Sequence, residues 1–133
     1  MESSSDNPHL QLAKKYPNIL MRSNWTGKLL EDQIGCELSI GYGWLQLVDD
    51  LCGKLQQAIQ SLSEEQRKGF FATQVKQKFG GLRFYVSYGN DEIYKLISEA
   101  ENQSYKTCEV CGEPGESTND GWVMTLCKEH LEK

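Results

Sequence analysis

The sequence predicts an α+β fold: amphipathic helices packed on a β-hairpin, extended by a C-terminal treble-clef-like zinc finger. Three observations predict it. Apolar residues recur at three- and four-residue intervals between Trp44 and Gln60, a strand pattern from Thr73 to Tyr88 is broken by Gly80-Gly81, and Cys108, Cys111, Cys127 and His130 follow a metal-ligand spacing.

A chain of 133 residues has room for one ordinary domain, or for a small one carrying a metal-stapled appendage. The expected division is an α+β domain over residues 1–107 with a helix–hairpin–helix core, and a zinc-finger module over 108–133. Hydrophobic residues at 38% and charged residues at 25% are globular values, unlike those of a disordered chain. A formal net charge of -5 rules out a global positive field, so nucleic acid binding would need a local basic patch. Met1 to Asp6 has no basic region followed by an apolar run, and no stretch reaches the length of a membrane span. The expectation is a protein that is neither secreted nor membrane-bound, placed in the cytoplasm. Five cysteines, an odd number with three of them in a metal-like pattern, agree with a reducing compartment.

Along the chain, Asn7-Pro8 offers a cap and a first-turn proline for a short helix ending before Pro17, with Leu10, Ala13 and Tyr16 on its apolar side. Residues 18–31 show no sustained period and are expected to be irregular. Cys36, Leu38 and Ile40 alternate with polar neighbours before Gly41 and Gly43, which suggests a short strand. From Trp44 to Gln60, Trp44, Leu47, Val48, Leu51, Leu55 and Ile59 share one helical face and form the main core element. Ser63 and Gln66 match a capping box for a brief helix before Gly69.

If Gly80-Gly81 are the two loop residues of a hairpin, Phe79 faces Leu82, Gln77 faces Phe84, Val75 faces Val86 and Lys78 faces Arg83. The opposite face then carries Lys76, Lys78, Arg83 and Tyr85. Asn90 or Asp91 caps a further helix with Ile93, Leu96, Ile97, Ala100 and Ser104 on one side. Trp44, Trp122, Phe79, Phe84 and Val86 are expected to build the core and its junction with the finger. Phe70-Phe71 should pack back on it, and Trp25 is either core or part of an exposed partner surface.

Cys108-x2-Cys111, fifteen residues, then Cys127-x2-His130 fits a closed tetrahedral zinc site. Gly112 permits the knuckle turn that aims backbone N–H groups at the thiolates, and a helical start after Cys127 puts Cys127 and His130 on one side. Pro114-Gly115 and Asn119-Asp120-Gly121 read as turns, and Trp122 to Thr125 as a short strand. With all four positions filled by protein no water is activated, so the metal is expected to be structural. Cys36 or Cys52 could replace His130, although buried free thiols suit both better.

The segments Val75 to Tyr85, Thr107 to Gly115 and Gly121 to Cys127, with Gly43 to Cys52 upstream, resemble a family of small, largely uncharacterised phage, prophage and bacterial proteins. The family pairs a KFGGLRFY-type hairpin with a CxxCGxPG…GWxxTLC finger, and the resemblance spans roughly residues 36–130. It implies this architecture and a phage-like context and carries no activity. Relatives often end the motif in cysteine, where this chain has His130.

The sequence holds no catalytic constellation: of two histidines one is assigned to metal, and His9 has no evident partner. The first expectation is therefore a non-enzymatic binding protein, a phage-encoded inhibitor or adaptor that docks on a host protein such as a defence component. Acidic proteins of this kind can compete for basic surfaces of a partner. The alternative is a nucleic-acid-binding module using Lys76, Lys78, Arg83 and Tyr85, with cations on phosphates and the aromatic on a base. Against it stands the ordinary explanation, an acidic side chain from elsewhere neutralising those cations. A His-Asn-His nuclease is disfavoured because no adjacent His-Asn pair is present.

Overall fold

The computed structural model describes residues 7–23, 26–118 and 123–131. Helix α1 (Pro8–Lys15) begins where Asn7 accepts from the His9 and Leu10 amides and buries Leu10, Leu12 and Ala13. One difference follows at once: Pro17–Leu20 forms a one-turn helix, α2, inside a stretch expected to be irregular. Proline at its first position and the complete burial of Ile19 and Leu20 explain it, because two apolar neighbours reach the core together only if the chain turns. Tyr16, between the two helices, donates to Asp49 at 2.6 Å, and Lys15 pairs with the same carboxylate. This bond to Asp49, helped by burial, pushes the Tyr16 phenol up to about 12.

Strand β1 (Glu37–Ser39) leads through a 3-10 turn at Tyr42–Trp44 into α3 (Leu45–Ala58). The expected helical face is the buried one, with Trp44, Val48 and Leu55 at 0% exposure. The capping box forms as expected, Ser63 and Gln66 each bonding the other's backbone at the start of α4 (Glu64–Lys68).

Strands β2 (Ala72–Lys78) and β3 (Gly81–Val86) make an antiparallel hairpin, and β1 adds in parallel to β2, giving the order β1-β2-β3. The register corrects the sequence expectation. Phe79 and Gly80 form the turn, with φ of 55° and 83°, so Lys78 pairs with Gly81, Lys76 with Arg83, Gln77 with Leu82 and Val75 with Phe84. Lys78 therefore does not face Arg83. The physical reason the glycine pair misleads is that Gly81 serves space and not the turn: a Cβ there would sit 2.4 Å from the Tyr105 ring, and the positive φ angles fall on Phe79 and Gly80 instead. Phe79 leaves the expected core as a result and is 67% exposed, whereas Phe70 is buried.

Val75, Leu82 and Phe84 are buried in one core cluster with Val48, Leu55 and Ile93, and α5 (Asp91–Ser104), which packs on α3, runs beside β3. Asn90 caps α5 as expected. At its far end Ser104, fully buried, accepts a hydrogen bond from the Leu82 amide and so satisfies one donor on the outer edge of β3. The fold is α+β, and among the described residues no helix is long and apolar enough to cross a membrane. Trp25, Trp122 and the Asn119-Asp120-Gly121 turn lie outside the described residues.

Candidate metal centre

The chain leaves α5 at Tyr105 and enters a knuckle. Gly112, at φ +85°, lets its amide return to the Cys108 carbonyl at 2.9 Å, while the Cys108 amide donates to Glu113 and the Gly115 amide to Lys106. Strand β4 (Glu116–Ser117) then pairs with β5 (Thr125–Leu126), and Cys127 precedes the short helix α6 (Lys128–Leu131). Knuckle, hairpin and terminal helix occur in the order expected of a treble-clef-like finger.

This path brings the four predicted ligands together. The three Sγ atoms and the imidazole nitrogen all lie within 4.8 Å of one another, close enough for one metal ion to reach each of them. Cys111 Sγ is 3.6 Å from Cys127 Sγ, and His130 Nδ1 is 3.5 Å from Cys108 Sγ and 3.0 Å from Cys127 Sγ. Cys108 and Cys127 are buried, His130 is half-buried and Cys111 is exposed. Burial works against a Cys108 thiolate, but backbone N–H groups around it, those of Cys127, Cys111 and Val110, prevail and bring its pKa down to about 6. These amides favour the Cys108 anion, whereas at Cys111 the lowering effect of the Glu113 amide is outweighed by desolvation and the neighbouring Cys127 and Cys108 thiols, which push that thiol up to about 11.

Cys36 and Cys52 are core residues outside this cluster, and burial raises both thiols, Cys36 to about 11. Neither is placed to substitute for His130.

Trp44, expected at the junction with the finger, does join the knuckle to the body, and backbone around it adds contacts that no local pattern disclosed. The Trp44 indole N–H donates to the Thr107 carbonyl at 2.8 Å, the Gly43 amide to the Glu109 carbonyl at 2.8 Å, and the Gly41 amide to the Glu109 carboxylate at 3.0 Å. A Cβ on Gly43 would lie 2.2 Å from the Cys108 carbonyl oxygen and 2.7 Å from the Cys111 amide. Gly41 and Gly43, expected only to stop a strand, are the surface on which the knuckle sits. From the other side the Thr125 hydroxyl donates to the Gly80 carbonyl at 2.6 Å, both atoms buried, so β5 holds the tip of the main hairpin.

The second predicted group, Lys76, Lys78, Arg83 and Tyr85, does share one face of the sheet by strand alternation, opposite Val75, Leu82 and Phe84. Arg83, however, makes an ion pair with Glu101 at 2.8 Å, and Tyr105 donates to the same carboxylate. The acidic side chain from elsewhere is present for that cation, whereas among the described residues Lys76 and Lys78 have no ion-pair partner. Compared with protein-family models, curated proteins and solved structures, the chain matches none.

Proposed function

We propose that this chain is a zinc-containing binding protein that acts without catalysis, a phage-type inhibitor or adaptor that docks on a host protein in the cytoplasm. The observation that carries the zinc reading is the convergence of Cys108, Cys111, Cys127 and His130. With zinc bonds of about 2.3 Å to sulfur and 2.1 Å to nitrogen, a tetrahedron has edges of about 3.8 Å between sulfurs and 3.6 Å from sulfur to nitrogen. The 3.6 Å and 3.5 Å separations fit those edges; the 3.0 Å separation of Cys127 and His130 would open on binding. Three thiolates and one imidazole are donors that suit zinc over calcium or magnesium.

A complete set of protein donors leaves no coordination position for substrate or activated water, which supports a structural metal. The protein-binding reading is preferred to the nucleic-acid one because Arg83 is already neutralised by Glu101. Elemental analysis of the purified protein should give one zinc per chain, and Cys108→Ser should abolish it. A metal-free protein with the same fold would refute the zinc reading, and failure of repeated affinity purification to recover a partner from host cells would refute the binding one.

A further inference from the structure

The hairpin tip holds a residue that stability alone does not explain. Phe79 occupies the first position of a two-residue turn at φ +55°, a left-handed conformation that a bulky side chain adopts only at a cost and that asparagine, aspartate or glycine adopts readily. Its ring gains little in return, being 67% exposed, and among the described residues the one cation over it is the Lys78 ammonium, 5.7 Å from the ring centre. The turn is held from behind by the Thr125 hydroxyl on the Gly80 carbonyl and by Val123, whose Cγ1 would lie 3.1 Å from a Cβ at Gly80.

A strained, exposed aromatic on a pinned turn is a preorganised knob. From this we infer that Phe79 is the anchor of a protein-binding surface, inserting into an apolar socket rimmed by carboxylates on a partner protein. The inference rests on the binding-protein reading above. Charge complementarity selects the partner: Lys76 and Lys78 approach the tip on β2 without ion-pair partners among the described residues, in a chain whose net charge is -5. A single-stranded nucleic acid would need a longer track of free cations, and the next cation on this face, Arg83, is held by Glu101.

The test uses the full zinc-loaded chain. Phe79→Asn gives the asparagine-glycine pair such a turn prefers, so it should fold and raise Tm by about 3 °C. A lower Tm would make Phe79 structural and overturn the inference. A photo-crosslinking amino acid is then placed at position 79, or at Tyr94 or Leu29 as exposed controls, in cells of the encoding organism. Position 79 alone should yield a protein adduct. The purified adduct partner should bind Phe79→Asn at least tenfold more weakly than the unaltered chain, and Lys78→Glu more weakly still at low salt. Unchanged binding by Phe79→Asn overturns the inference, as does an adduct with nucleic acid or with a second copy of this chain. Adducts from a control position only would overturn the Phe79 site and leave the binding reading standing, whereas none from any position would overturn both.

Discussion

Thr125→Val tests how far the finger supports the hairpin. The substitution keeps the shape of a side chain with 0% exposure and deletes the hydroxyl that donates to Gly80 at 2.6 Å. The Gly80 carbonyl is then left buried without its donor, a penalty of about 1–3 kcal/mol. A chain of this length unfolds with an entropy of roughly 0.3 kcal/mol/K, so Tm should fall by about 3–10 °C. Urea unfolding of the zinc-loaded protein measures the cost, and Thr125→Ser, which keeps the donor and loses one methyl group, should cost less. The effect should shrink when metal is chelated first, since the hydroxyl belongs to the finger. A change below about 0.3 kcal/mol in the loaded protein would mean that solvent replaces the bond and that the finger does not brace the turn.

Three further outcomes follow from other contacts. Gly43→Ala drives a methyl group into backbone of the knuckle, so it should lower stability by about 3 kcal/mol and increase zinc loss to a chromogenic chelator; retention equal to the unaltered chain would contradict the docking described. For Asp49, burial opposes the charged form, but hydrogen bonds from Lys15 and Tyr16 prevail and hold its pKa below the usual carboxylate range. Its contribution is therefore present above the unfolded pKa, about 3.9, and lost as pH falls through the lower folded value, so Asp49→Asn should destabilise at pH 7 and converge with the unaltered protein in acid unfolding curves. Metal chelation should expose the Gly112 amide and also that of Gly43, which donates to Glu109, to hydrogen exchange while the α3 amides stay protected; an unaffected Gly43 would show that the knuckle docks without metal.

Features set by local chemistry were legible in the sequence. The α3 face, the Ser63 capping box and the Asn90 cap depend on residues within a turn or two of one another. The four clustered ligands were legible for a similar reason, since a knuckle and a helix start impose pairwise spacing. What escaped was decided across the fold. A pair of glycines suggested the turn at Gly80-Gly81, yet Gly81 is a strand residue that makes room for the Tyr105 ring, many residues away, and the turn falls on Phe79 and Gly80. Likewise no local pattern discloses that Glu101 reaches Arg83, or that Gly41 and Gly43 form the seat of the knuckle.

The parallel pairing of β1 with β2 has a kinetic consequence. The β2-β3 hairpin closes across two residues and can form within microseconds, whereas β1 meets β2 only after α3 and α4 have been threaded between them. Until then the outer edge of β2 is unsatisfied and open to strands of other chains. Conditions that slow the docking of α3 should therefore promote aggregation during refolding, even when the finished protein is fully stable.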